Sequence, residues 1–408
     1  MAAATNEFEV VIVGGGAAGI ATAASLHKRE PSLKIAIVEP AGKHYYQPGW
    51  TMVGGGVFKA QETEREMASV MPDYVSWIRQ AVTAFEPDQN TVVLADGSRV
   101  KYIFLVVAAG LKLDWDGVEG LSETLGRNGV TSNYRYDLAP YTWELVQQTT
   151  SGRALFTQPP MPIKCAGAPQ KAMYLSCSEW ERRGVLKDID VQFHNAGGVL
   201  FGVADYVPAL MEYVERYGIT LDFGETLKAV DGGARTATFA TEGGDKTVDF
   251  DMLHVCPPQT APDFIKASPL AGEGGWVDVD QHTMRHKRFD NIFGLGDCTN
   301  TPNAKTAAAA RKQAPIVARN LIAAILGKDL PCSYDGYGSC PLTVERGKIV
   351  LAEFGYGGKL LPSFPECLLD GKKPTRRAWH LKADVLPKLY WDAMLRGREW
   401  MVKPETIG

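Results

Sequence analysis

The sequence has no CxxC pair, and none of its seven cysteines shares a zinc-type spacing with a histidine. A structural zinc site needs four such ligands, so none is expected. An odd number of thiols scattered over 408 residues is not a secreted disulfide framework either. No run of about 18 or more apolar residues occurs, so no helix is expected to span a bilayer. Basic residues are not in excess: 43 Lys and Arg stand against 47 Asp and Glu. That balance argues against a nucleic-acid partner. The first nine residues are too short and polar for a secretory or transit segment, so a reducing aqueous compartment is expected. Solenoid repeats and low-complexity tracts are missing too.

What is present is a long chain with 45% apolar residues, enough for two or three domains. Residues 8–13 form a Val/Ile-rich run that reads as a buried parallel strand. Glycines follow at Gly14, Gly16 and Gly19, then an amphipathic stretch over residues 20–28 and a second buried strand over 34–38. This is a βαβ unit. Residues 102–108, 151–158, 190–194, 252–255 and 291–295 read as further strands. The turn Ala95-Asp-Gly-Ser98 marks a hairpin, a helix begins near Gln170, and residues 306–326 read as a long alanine-rich helix. The expected organisation is α/β: two Rossmann-like dinucleotide-binding domains plus a C-terminal membrane-associating region. Residues 1–111 and 256–330 form the first domain, 112–255 an inserted second one, and 331–408 the C-terminal region.

The segment Val11-Ile-Val-Gly-Gly-Gly-Ala-Ala-Gly19 fits GxGxxG. Gly14 allows the tight turn, Gly16 lets a pyrophosphate approach the backbone, and Gly19 lets helix and strand pack closely. The helix N-terminus then offers free N–H groups to phosphate. Glu39 closes the second strand, where a carboxylate accepts bonds from ribose hydroxyls. Phe293-Gly-Leu-Gly-Asp297 and Tyr102-Ile-Phe-Leu-Val-Val-Ala-Ala-Gly110 resemble segments of the glutathione-reductase-like flavoproteins. By that resemblance the cofactor is FAD, Asp297 contacts its ribityl chain, and Gly110 belongs to the cradle. Lys305 and Thr306 open the alanine-rich helix, whose N-terminus suits negative charge on a reduced flavin.

A second GxGxxG is absent. After the strand ending at Gln158 the chain reads Pro159-Pro-Met-Pro-Ile-Lys-Cys165. Proline removes backbone donors, so this loop offers no phosphate nest and NAD(P)H is not the expected reductant. The prolines would instead hold Cys165 in place. Cys340, in a second Gly-rich segment read as a loop, is a candidate partner, although sequence separation alone does not bring the two together. The bland reading of the remaining cysteines, Cys298 included, is inert thiols. For His44 and His194 it is structural histidines, and for Glu345 and Lys348 a solvated turn.

Several motifs resemble sulfide:quinone oxidoreductases of the mitochondrial-like type II branch. They include His44-Tyr-Tyr-Gln-Pro48, Lys164-Cys-Ala-Gly-Ala-Pro-Gln-Lys171, Gly296-Asp-Cys-Thr-Asn300, Tyr334-Asp-Gly-Tyr-Gly-Ser-Cys-Pro-Leu342 and Tyr390-Trp-Asp-Ala-Met-Leu-Arg-Gly397. The resemblance covers nearly the whole chain. It implies a redox centre of Cys165 and Cys340 and flavin contacts at Gly15, Ala17, Ala18, Glu39, Gln47, Val82, Asp297 and Lys305. It also implies oxidation of hydrogen sulfide to sulfane sulfur, with electrons passed to a quinone. The sulfur acceptor would be sulfite, a small thiol or sulfide. A membrane surface is a further expected partner, and homodimer formation stays open. No metal is expected.

Leu386, Leu389, Tyr390, Ala393, Met394 and Gly397 recur at helical spacing, with Trp391, Trp400 and basic residues beside them. This suits an interfacial helix, and equally a helix buried against the protein. With a bilayer-borne quinone, the expected location is peripheral (monotopic), on the cytoplasmic side of a bacterial inner membrane. Three rival readings remain: a type II NADH:quinone oxidoreductase, a flavin-binding redox sensor, and a flavocytochrome c sulfide dehydrogenase.

Overall fold

A computed structural model of the chain describes residues 7–402 and 404–406. The leader reading of the first nine residues therefore falls largely outside the described residues. Two α/β layers carry the fold. In the first, the strands Ile35–Val38, Glu7–Val13, Arg99–Val107 and Ile292–Gly294 run parallel at the centre of a seven-stranded sheet. Val10, Val11 and Ile12 are fully buried there because both sheet faces are covered, as a parallel strand requires. The hairpin expected at Ala95-Asp-Gly-Ser98 joins Thr91–Leu94 to Arg99–Val107 on the antiparallel side.

The helix Ala17–Arg29 packs on the helix Ala307–Ile325. Small residues line both, so the backbones approach closely.

The second layer is a five-stranded parallel sheet in the order Val130–Thr131, Met252–His254, Gly152–Gln158, Ile189–Asn195, Thr220–Phe223. A three-stranded antiparallel meander over Thr226–Asp231, Thr236–Thr241 and Gly244–Asp249 covers part of it. The helix Ala168–Arg183 packs against the hairpin Gly338–Glu345/Lys348–Phe354. Cys340 therefore lies in a strand, opposite Ala352, and not in the expected loop. The glycines before it do not loosen the segment, because ladder hydrogen bonds to residues 349–354 hold it extended. Glu345 and Lys348 do close the hairpin, and Glu345 also binds Arg216.

The C-terminal segment takes the buried one of its two expected arrangements. It is helical from Arg376 to Arg396, but Leu381–Val385 and Leu389–Ala393 are wide π-type turns. Tyr390, Trp391, Met394 and Leu395 are buried in the first core. That face is covered by protein and not by lipid, so the interfacial reading fails for these residues. The reason is local fit: Gly397 lies so close to the first helix that an added Cβ would come within 2.8 Å of the Ala24 carbonyl oxygen. Val385, Trp400 and Met401 remain exposed. Among the described residues no helix is long and apolar enough to cross a membrane.

Candidate active site

A cavity of about 880 Å³ lies where the two layers and the C-terminal segment meet. One side is the glycine cradle. Gly14 has φ +108°, and a Cβ there would stand 2.5 Å from the Ala108 carbonyl oxygen. Gly19 meets the Gly14 carbonyl in the same way, whereas nothing lies within 4 Å of a Cβ on Gly16, the position a pyrophosphate would approach. Gly14, Gly16, Ala17, Ala18, Glu39, Gln47, Gly110, Asp297, Lys305 and Thr306 all line the cavity. Gly15 and Gly19 stand behind this surface. Val82 is not among the lining residues; its side chain is in the core, in the strand Val82–Glu86.

Glu39 is already engaged. One carboxylate oxygen accepts the Gly15 N–H and the other the Ala41 N–H, both at 2.7 Å. Its first role is thus to hold the phosphate turn, and the remaining lone pairs face the cavity. Lys305 donates to the Asp297 and Thr299 carbonyl oxygens at 2.9 and 2.7 Å. Burial lowers its pKa and raises that of Asp297. Thr306 caps the alanine-rich helix by accepting the Ala309 N–H.

The opposite side carries the cysteines. The proline loop is stitched to the cradle: the Cys165 N–H donates to the Lys305 carbonyl oxygen at 2.8 Å. Gln259 accepts the Lys164 N–H at 2.7 Å, and the Tyr134 hydroxyl donates to the Lys164 carbonyl oxygen. Cys165 adopts φ +49°, a strained conformation for a side chain that only surrounding bonds can maintain. Gly167 then lets the Cys340 strand approach, since a Cβ there would lie 2.6 Å from the Cys340 sulfur.

The two cysteines are free thiols that lie close enough to perturb each other's ionisation. Cys165 lines the cavity; Cys340 sits behind it, buried. The hydrogen bond from Cys340 holds the Cys165 thiol well below its ordinary pKa, and the Lys171 ammonium, 3.0 Å away, adds to this. The same bond and burial push Cys340 up. Burial also raises Cys298 to about 11 and Cys256 to about 12, so these stay thiols, as expected of inert cysteines.

Sequence reasoning assigned no role to Lys171 or Lys382. Lys171 was only a letter in a motif, yet it is buried beside Cys165. Lys382 enters the cavity from the C-terminal segment, and no local pattern signals it. Nor does any pattern signal Trp50, Thr51 and Asn133. These line the cavity with buried Nε1, Oγ1 and both amide atoms that have no hydrogen-bond partner among the described residues. Buried polar groups of this kind call for a ligand. His44 lines the cavity and bonds the Gly15 carbonyl oxygen and, at 2.7 Å, the Tyr390 hydroxyl. Burial lowers its pKa to about 4. His194 lies elsewhere, bonded to Glu225 and stacked on Phe239.

Comparison with known proteins agrees with this arrangement. The family described as pyridine nucleotide-disulphide oxidoreductase matches residues 8–142 and 204–314. The chain is 43% identical over 401 residues to the mitochondrial sulfide:quinone oxidoreductase of Dictyostelium discoideum, covering 98% of this chain and 88% of that protein. To the mitochondrial enzyme of the same name from Mus musculus it is 39% identical, covering 97% and 88%. The chain belongs to the sulfide:quinone oxidoreductase family. The solved structure of the sulfide:quinone oxidoreductase from Aquifex aeolicus has the same fold, with a TM-score of 0.79, 20% identity and coverage of 98% and 97%.

The cofactor of this sulfide:quinone oxidoreductase family is FAD. The residues present fit it: two glycine turns open to the cavity, a helix N-terminus for phosphate, and Asp297 and Lys305 at the far end. The span skipped by the pyridine nucleotide-disulphide oxidoreductase match, 143–203, contains the Cys165 loop. The mitochondrial names of the curated relatives lend no support to the expected bacterial inner membrane.

Proposed function

We propose that this chain oxidises sulfide to sulfane sulfur at Cys165 and Cys340 and passes two electrons through FAD to a quinone. The observation that carries the reading is the Cys165 thiol, 3.0 Å from the Lys171 ammonium and with its ionisation shifted by the buried Cys340, at the wall of a cavity that holds a dinucleotide cradle. Hydrosulfide attacks the Cys340 sulfur of an oxidised Cys165–Cys340 bridge. The bridge bond breaks, leaving a persulfide on Cys340 and a thiolate on Cys165. Lys171 stabilises that thiolate and with Lys382 makes the chamber attractive to anions. A sulfur acceptor (sulfite, a small thiol or a second sulfide) removes the outer sulfur. The two remaining thiolates re-form the bridge and release two electrons. Bound FAD supplies the two-electron acceptor beside Cys165.

Loss of the phosphate nest after Gln158 disfavours an NADH-driven reaction. A quinone suits the apolar end of the cavity, walled by residues such as Leu386 and Leu389. The exposed Val385, Trp400 and Met401 suit contact with a membrane surface. The test is anaerobic addition of sulfide to the yellow protein. Bleaching, then recovery of colour on adding a quinone analogue, is expected. Cys165→Ser should keep its FAD and lose the bleaching; bleaching at the native rate would refute the proposal.

A further inference from the structure

Reduction of a quinone consumes two protons as well as two electrons, and nothing in the cysteine chemistry delivers protons to the apolar end of the cavity. Tyr337 and Glu353 line the cavity together with Leu360, Leu361, Phe364 and Leu389. Glu353 is only 4% exposed. Its Oε1 accepts hydrogen bonds from the Tyr337 hydroxyl at 2.6 Å and from the Ser363 hydroxyl, and its Oε2 accepts the Ser363 N–H at 3.1 Å. The Tyr337 and Ser363 hydroxyls are themselves 3.1 Å apart. Ser363 is exposed. The chain of groups therefore runs from solvent to the cavity wall without a gap. Burial, reinforced by the charge of Glu353, raises the Tyr337 pKa, so its hydroxyl holds a proton at the wall. The Lys312–Asp335 ion pair at 2.8 Å and Arg311 complete the surroundings from the neighbouring helix and loop.

A lone carboxylate beside an apolar wall is costly to bury. Here it is retained with three donors and a route to water, the arrangement a proton relay requires. We propose that Tyr337 and Glu353 deliver a proton to the quinone, reloaded through Ser363. The inference rests on the quinone reading above. As the quinone gains its electron pair, one carbonyl oxygen takes the Tyr337 hydroxyl proton. The Glu353 carboxylate takes a proton from water through the Ser363 hydroxyl and passes it to the Tyr337 oxygen. The other carbonyl oxygen is protonated by water, giving the quinol.

The test uses the FAD-loaded protein in stopped flow. Glu353→Gln keeps the shape and an acceptor for Tyr337 but cannot carry a proton. Bleaching by sulfide should stay within about twofold of native. Re-oxidation by a short-chain ubiquinone analogue should slow at least tenfold. Re-oxidation by ferricyanide, which takes electrons without protons, should be unchanged. Tyr337→Phe should show the same split and serves if Glu353→Gln does not fold. Equal slowing with both oxidants would make the pair structural, and native-rate re-oxidation by the quinone would remove it from the path. Re-oxidation of the native protein separates the two ideas: if the quinone fails there, the quinone reading itself falls and takes the relay with it.

Discussion

At the residue scale the site is decided by which buried groups carry charge. Lys171 is fully enclosed, yet the Cys165 and Cys340 sulfurs keep it protonated despite burial. Lys382 lacks so close a partner. Burial, then repulsion from Lys171, lowers its pKa to about 7 from 10.5. Above about pH 10.5 neither the folded nor the unfolded chain carries this charge, so there is no penalty. As pH falls towards 7 the unfolded chain gains the proton while the folded one does not, and stability is lost. Below about pH 7 the penalty is constant. Lys382→Met should therefore raise the unfolding free energy, by an amount on the order of a few kcal/mol at pH 7 and much less near pH 10, with Tm rising accordingly. An equal gain at both pH values would show that packing, and not charge burial, is responsible. The same substitution should weaken anion attraction into the chamber.

At the scale of elements, the redox pair depends on a loop and a strand arriving at one point. The cradle is a strand–turn–helix unit whose parts are contiguous, so Gly14, Gly16, Gly19 and Glu39 were readable from spacing. The cysteine pair is not contiguous. Cys165 is held by the Lys305 carbonyl, and Cys340 by the strand ladder with Ala352. Gly167 is the clearance between them. Gly167→Ala would drive a methyl group into the Cys340 sulfur. The FAD content should be retained and bleaching by sulfide should slow at least tenfold. Native bleaching would show that the strand yields freely. The sequence leaves two readings of the C-terminal helix open for a simple reason. A face of Leu, Tyr and Met at helical spacing looks alike to lipid and to core, and only the first helix and His44 distinguish the two.

At the scale of the whole molecule, the C-terminal segment both closes the core and carries the exposed apolar residues. Deleting it would remove Tyr390, Trp391, Met394 and Leu395 from the first core and unfold the protein, so truncation is a poor test of membrane contact. Trp400 and Met401 are 60% and 46% exposed. Replacing both by serine should leave Tm nearly unchanged and lower flotation with anionic liposomes severalfold. Unchanged flotation would place membrane contact elsewhere.

Local spacing was sufficient for the dinucleotide cradle, the parallel strands around it, and the proline loop that denies a second nucleotide its phosphate nest. Each depends on residues a few positions apart, whose backbone geometry glycine and proline dictate directly. The meeting of Cys165 with Cys340, the strand conformation of Cys340, the buried Lys171 and Lys382, and the Tyr337–Glu353 pair were settled only in three dimensions. They depend on contacts between elements far apart in the chain, and on how much water those contacts exclude. Neither quantity is encoded in any single stretch of sequence.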